Sequence, residues 1–159
     1  MKKIVILLFI QALAVPLLGQ QNLNISTIFD KYGKQNGSVL VQLSSDVLSQ
    51  GSNITFYKSL IIDNKSKYIE NEIFNAVKSD INNKIIISEV KKSGQIESGS
   101  YYIGSNKKQP GEFILYKNKG GKTTLVYLKG NFPSGHLEYE LKKLKDLFIY
   151  VNNKRLKIQ

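Results

Sequence analysis

The first apolar stretch of the chain is short and follows two lysines. Met1-Lys2-Lys3 precedes an apolar run from Ile4 to Leu18, and Gly19 follows it. A basic start, an apolar run of about fifteen residues and a small residue at the cut are typical of a secretory signal peptide. A membrane-spanning helix needs about 20 apolar residues. We therefore expect a signal peptide over residues 1–19, cleaved near Gly19, and the alternative is a retained N-terminal anchor.

Helical spacing of apolar residues is clearest between residues 65 and 81. The side chains that recur there about every 3.6 positions are Ile69, Ile73, Phe74, Val77 and Ile81. Asn64 or Ser66 can supply the oxygen that caps the start of this helix. The pattern predicts an amphipathic helix with one apolar face.

Two further segments predict helices, and a third predicts a single helical turn at 44–49. Ser26 can cap a short helix that ends at Gly33, and Ser134 can cap another with Leu137, Leu141 and Leu144 on its inner face. Beyond that helix, residues 148–158 predict a terminal hairpin that turns at Asn152-Asn153. The alternative interpretation continues the helix through Val151.

Alternating apolar and polar residues predict six strands ahead of the terminal hairpin. The first carries Val39, Val41 and Leu43 on one face, and the second covers 54–62. Four more strands, separated by short Gly/Asn/Ser turns or a polar loop, cover 84–91, 95–103, 112–117 and 122–129. Short turns favour antiparallel pairing. The sequence thus predicts one α+β domain over 20–159, an antiparallel β meander with two or three helices packed mainly on one face.

Charge and cysteine content narrow the expected partners. The chain carries 23 basic and 12 acidic residues, a formal charge of +11, and no cysteine. Disulfides and a lipid anchor on cysteine are therefore excluded. A basic protein attracts anionic partners, and after export nucleic acid is not expected. The remaining candidates are anionic envelope lipid, acidic polysaccharide or another envelope protein, and a composition rich in Lys, Asn and Ile indicates a bacterial source.

No residue pattern indicates catalysis. Gly121-Lys122-Thr123 copies the end of a phosphate-binding loop, but Tyr116 stands where the first glycine is needed, and strand-forming residues follow. We therefore interpret it as a hairpin turn. His136 is the only histidine, so no zinc-binding set of histidines and cysteines can form. The sequence predicts no catalytic, metal or cofactor site, and hence a protein that is not an enzyme.

Tyrosines and lysines alternate along the predicted meander. Aromatic rings among cations could bind anions or glycans, although part of each set must face the core because strand side chains alternate. The competing interpretation is a solubilising coat of lysines. The candidate binding residues are Tyr101, Tyr102, Lys107, Lys108, Tyr116, Lys117, Lys119, Lys122, Tyr127 and Lys129.

Two stretches carry a resemblance to other proteins. Ile28-Phe29-Asp30-Lys31-Tyr32-Gly33 stands before a Val/Leu strand, and Leu125-Val126-Tyr127-Leu128-Lys129-Gly130-Asn131-Phe132 stands near the end. In these the chain resembles small exported bacterial proteins that form a domain of unknown function. The resemblance implies a small α+β fold and an envelope location. The chain departs from many of those proteins in lacking a cysteine for lipidation.

These observations together favour a function outside the cytoplasm. We expect an exported bacterial protein, in the periplasm or outside the cell, that is a non-catalytic binding or structural component of the cell envelope. Two alternatives remain open at this stage. One is a hydrolase whose site cannot be recognised from sequence, and the other is a membrane-tethered subunit with an uncleaved N-terminal helix.

Overall fold

A computed structural model of the chain describes residues 22–49, 51–63, 66–104 and 110–153, with the backbone alone for 146–153. A 3-10 turn (Ser134–His136) precedes the last helix. The helices and strands are, in chain order, α1 (Asn24–Tyr32), β1 (Ser38–Ser44), α2 (Ser45–Leu48), β2 (Ile54–Asp63), α3 (Lys67–Asp80), β3 (Ile85–Lys92), β4 (Gln95–Tyr102), β5 (Gly111–Lys119), β6 (Lys122–Gly130) and α4 (Leu137–Asn153).

The six strands form one antiparallel sheet in the order β1-β2-β6-β5-β4-β3. Strands β3 to β6 are the predicted meander, in which each strand pairs with the next one along the chain. The β1–β2 hairpin joins the sheet because β2 pairs with β6, which places β6 near the centre. The predicted class, a single α+β domain with an antiparallel sheet, is confirmed.

Helices pack against both faces of this sheet. Helices α1 and α3 cover one face, where Phe29 and Ile73 meet Leu60, Leu125 and their neighbours in the larger core cluster. The opposite face has a second, smaller cluster. It contains residues of α2 and α4 together with the sheet: Leu48, Ile54, Phe113, Val126, Leu128, Leu137 and Leu144. Helices α1 and α3 thus share one layer, and α2 and α4 pack on the opposite side. The expectation that the helices pack mainly on one face is too narrow, because Val126 and Leu128 leave the other face apolar as well.

Helix α1 begins without the cap that the sequence predicted. Leu23 is at the N-cap position, and the Ser26 hydroxyl donates to the Leu23 carbonyl at 2.7 Å instead of accepting from the helix. The Asp80 carboxylate, at the end of α3, accepts the N–H groups of Asn24 and Ile25, both at 2.8 Å. A carboxylate from another helix therefore satisfies two of the free amides at the start of α1. At α3 the predicted cap is correct for Ser66, which accepts the Tyr68 N–H.

The end of α4 corrects the predicted terminal hairpin. The helix continues to Asn153, so the alternative of a longer helix is right and Asn152-Asn153 is not a turn. Leu137 and Leu144 are buried against the sheet and hold the start of the helix in place. An isolated two-stranded hairpin is only marginally stable, whereas continuing a helix adds a hydrogen bond per residue. The second predicted strand, 154–158, lies outside the described residues.

Candidate functional site

Two tight turns lie at the same end of the sheet. The β3–β4 turn uses Ser93 and Gly94, and the β5–β6 turn uses Gly120 and Gly121, all with positive φ. Because β3 to β6 form a meander, both turns are at one end, which we call the turn end. Gly121-Lys122-Thr123 thus begins a strand of a hairpin, and the phosphate-loop interpretation is excluded, as predicted.

Exposed lysines concentrate at the turn end. They are Lys91, Lys92, Lys117, Lys119 and Lys122. Three carboxylates are also present there: Glu89 pairs with Lys91 at 3.0 Å, Asp63 lies 3.8 Å from Lys122, and Glu97 is half-buried on β4. The turn end is therefore basic overall, although part of its charge is already paired.

Lys119 and Lys122 are directly opposite each other as the last pair before the β5–β6 turn. Like charges in directly opposed positions destabilise a sheet. Neither Lys117 nor Lys119 has an ion-pair partner among the described residues. The turn end thus concentrates positive charge where a bound anion would relieve repulsion.

Three of the four candidate tyrosines are in the core. Tyr101, Tyr116 and Tyr127 are all at most 3% exposed, and they belong to the larger core cluster on the face that α1 and α3 cover. Burial raises the pKa of Tyr116 to about 12 and raises those of Tyr101 and Tyr127 further. Both faces of the sheet are covered by helices, so these rings are not available to stack on a glycan.

The remaining candidates do not join the turn end. Tyr102 is half-buried on the other face and meets Phe113 edge-on at 5.3 Å between ring centroids. Lys129 pairs with Glu112 at 3.6 Å. It lies seven residues along β6 from Lys122, or about 23 Å at the usual strand rise. Lys107 and Lys108 lie outside the described residues. Of the ten candidates, the structure brings together Lys117, Lys119 and Lys122.

Two buried carboxylates hold helices in place, and sequence reasoning assigned a role to neither. Asp80 is 7% exposed, and besides the α1 amides it accepts the Asn24 side-chain amide at 2.7 Å. Glu140, on α4, is 1% exposed and accepts the Asn53 backbone N–H at 2.9 Å and its amide at 2.8 Å. Each carboxylate thus links a helix to a segment distant in sequence.

The Glu140 side chain remains an ionised carboxylate despite its burial. Burial alone raises its pKa, but the hydrogen bonds from Asn53 and from Lys143, at 3.2 Å, outweigh burial and lower the pKa below its usual value. An acid catalyst at neutral pH needs a raised carboxyl pKa. The Glu140 environment therefore suits a structural anion.

Two further carboxylates lie in hydrogen-bonded groups at the surface. Glu72 accepts from Lys31 at 2.7 Å and from the Tyr32 hydroxyl, which joins α1 to α3. The hydrogen bond from Lys31 has the largest effect on the Glu72 pKa and lowers it, and the hydrogen bond from Tyr32 lowers it further. Glu89 has a matching arrangement with Lys91 and with the Tyr101 hydroxyl at 2.8 Å, and its pKa is also lowered. Such arrangements stabilise the ionised carboxylate.

Side chains that could bind a metal do not form a cluster among the described residues. His136 is exposed at the end of the 3-10 turn. Across the described ranges, no group of three or more His, Asp or Glu residues could hold a metal ion. In the same part of the chain, no helix is long and apolar enough to span a membrane.

The fold is that of a small α+β domain with one antiparallel sheet between helical layers. Residues 12–144 match a family of unknown function, DUF6108, and the chain belongs to that family. The expected resemblance to a domain of unknown function is therefore confirmed. No curated protein matches the chain.

Proposed function

We propose that the protein is exported from a bacterial cell and is a non-catalytic component of the envelope that binds an anionic partner. The observation that carries this proposal is the opposed pair Lys119 and Lys122, with Lys117 beside it on β5. An anion held between these ammonium groups gains attraction and removes a repulsion. Such attraction acts at long range and weakens with salt.

The partner that suits this site is a surface with many negative groups. Its lysines are exposed and lie at the strand ends that flank the β5–β6 turn. Lysine binds anions as a flexible point charge, without the fixed two-point geometry of arginine. The only arginine of the chain is Arg155. A surface of anionic lipid headgroups or an acidic polysaccharide matches this chemistry better than a single small ligand.

A structural role for the buried carboxylates supports the non-catalytic part of the proposal. Asp80 and Glu140 are the buried acids of the described residues, and a hydrolase would need such groups free to exchange protons. Each already accepts at least three hydrogen bonds from neighbouring elements.

Retention experiments test the partner. The purified protein is passed at physiological salt over immobilised vesicles with anionic lipid, over vesicles of zwitterionic lipid alone, and over heparin. We expect retention on an anionic matrix, release as salt rises, and none on the zwitterionic vesicles. Lipid-only retention assigns a headgroup partner, and heparin-only retention assigns a polysaccharide. No retention on either anion would contradict the proposal.

The mass of the protein recovered from the envelope fraction tests export separately. Cleavage near Gly19 removes the first nineteen residues, so the recovered chain is shorter than the full translation product. An intact Met1 end would instead support the membrane-tethered alternative. Recovery of the full-length chain from the cytoplasm alone would contradict export.

A further inference from the structure

The two edges of the sheet differ in how they are protected. Strand β3 has two register shifts against β4 and carries Glu89, Lys91 and Lys92. Bulges and charges are devices that prevent an edge strand from pairing with another chain. Strand β1 has neither, since its sequence SVLVQLS contains no charge and no proline and pairs with β2 without a shift.

Backbone groups of β1 point away from the sheet at alternate residues. The Gly37 carbonyl accepts the Asp63 N–H at 3.2 Å, in the same register as the strand pairs that follow. Bonded and non-bonded pairs alternate in an antiparallel ladder. The odd-numbered residues therefore bond to β2, and Leu40 and Gln42 direct their N–H and C=O groups outward. Within the described residues, no strand pairs with that side.

Apolar side chains accompany this open edge. Val39 is 56% exposed, and its cross-strand partner Ile61 is 38% exposed on the same face of the sheet. Val41 and Leu43 continue this row along β1 and are only partly buried. An added strand would therefore gain backbone hydrogen bonds and cover apolar surface together.

Apolar side chains on one face of β1 are placed symmetrically about Val41, with Val39 on one side and Leu43 on the other. Antiparallel pairing with an identical strand, centred on Val41, would match Ser38 with Ser44 and Val39 with Leu43, and Leu40 would lie opposite Gln42. The outward backbone groups of Leu40 and Gln42 face each other in this register. Because β1 is uncharged, a chain of formal charge +11 can approach its own copy here without opposed lysines.

We propose that β1 pairs antiparallel with β1 of a second copy, so that two six-stranded sheets become one across a two-fold axis at Val41. The placement of Val39 and Leu43 about Val41, together with the absence of charge in β1, favours an identical partner over an unrelated peptide. Such a two-fold interface uses the same surface on both copies. The proposal does not depend on the anionic partner, because β1 and the lysines of the turn end are separate sets of residues.

Cysteine crosslinking tests the register. Val41→Cys places the only cysteine of the chain opposite its copy, in a non-bonded pair with Cα atoms about 4.5 Å apart, within disulfide range. Val90→Cys is the matched control on the other edge, β3, where the side chain is 52% exposed. We expect mild oxidation to yield a disulfide dimer of the first variant much faster than of the second. Equal rates would overturn the proposed register.

Sedimentation of protein produced from the full-length chain tests the association itself. We expect a concentration-dependent dimer that Val39→Lys weakens about tenfold or more, because a lysine then replaces an apolar partner of Leu43 in each copy. Val90→Lys should leave the dimer unchanged. Circular dichroism verifies that both variants fold. A protein that stays monomeric at every concentration, even if it binds a different protein, would overturn the proposal. A dimer whose affinity is unchanged by Val39→Lys would overturn it as well.

Discussion

The Asp80 carboxylate and Asn24 are joined by two hydrogen bonds that fix the start of α1 to the end of α3. One Asp80 oxygen, Oδ1, accepts both the backbone N–H of Asn24, at 2.8 Å, and its side-chain amide, at 2.7 Å. The two residues are 56 positions apart in the chain. This contact therefore substitutes a long-range carboxylate for the local cap that helices commonly use.

Replacing Asp80 with asparagine should destabilise the domain. One carboxylate oxygen becomes an amide NH2 group, which donates, so at least one of the α1 N–H groups that Asp80 accepts loses its acceptor. We expect a loss of about 2 kcal/mol in the free energy of unfolding, measured by urea denaturation. The matched control Asp30→Asn changes an exposed aspartate of α1 and should stay within about 0.5 kcal/mol. Equal effects would contradict the assigned role of Asp80.

Glu140 should contribute a pH-dependent part of the stability. Its pKa is lowered in the folded protein, so the unfolded state binds more protons in the acid range. The contribution is complete above the usual glutamate pKa of about 4.3. It is lost as the pH falls through the lowered pKa of the folded state.

We therefore expect Glu140→Gln to cost about 1–3 kcal/mol at neutral pH and much less in acid. Denaturation series at several pH values measure the difference. Glu138→Gln, on the exposed side of the same helix, provides the control and should keep the wild-type pH profile. A constant cost of Glu140→Gln across the acid range would show that the Glu140 charge has no such role.

Loss of the hydroxyl should affect the free energy of unfolding differently at two buried tyrosines. The Tyr127 hydroxyl is buried without a hydrogen-bond partner among the described residues, whereas the Tyr101 hydroxyl donates to Glu89. Tyr127→Phe should be neutral or stabilising by up to about 1 kcal/mol, and Tyr101→Phe should cost about 1 kcal/mol. Thermal melting of both variants measures the contrast. Destabilisation of Tyr127→Phe by as much as Tyr101→Phe would indicate a partner for Tyr127.

Gly99 lies where the Tyr101 side chain folds back over β4. A methyl group at Gly99 would overlap the Tyr101 ring, whose hydroxyl is held by Glu89. Gly99→Ala should cost about 1–3 kcal/mol, because the ring must move and its hydrogen bond weakens. Gly135→Ala is the control, since nothing lies within 4 Å of an added methyl there. Equal unfolding midpoints for the two variants would contradict this packing.

Local sequence patterns predicted most of the fold. Alternation defined β2 through Phe56, Leu60 and Ile62, and helical spacing defined α3 to within two residues at its start. The end of α4 was ambiguous because the run 148–151 is rich in aromatic and β-branched residues, which favour strands. Continuity with the packed helix outweighed that local preference.

The candidate site was harder to predict, for two physical reasons. Along β6, Leu125 to Leu128 are all buried because helices cover both faces. The alternating pattern therefore could not show which candidate tyrosines face the core and which face solvent. The roles of Asp80 and Glu140 depend on contacts across the whole domain, which no local spacing reveals. The lysines at the β5–β6 turn were predictable because turn residues lie at the surface.

The proposed binding of an anionic partner at the turn end depends on three lysines. The triple variant Lys117→Gln, Lys119→Gln, Lys122→Gln removes their charge. The control Lys78→Gln, Lys142→Gln, Lys145→Gln removes as much charge from exposed helix positions. Since both variants have the same net charge, a difference between them reports location.

Binding to the anionic matrix that retains the wild type, vesicles or heparin, is the most direct measurement, with affinity followed as salt is raised. We predict that the turn-end variant loses at least about tenfold in affinity at physiological salt, while the helix variant stays within about threefold of the wild type. Equal affinities for the two variants would contradict the account.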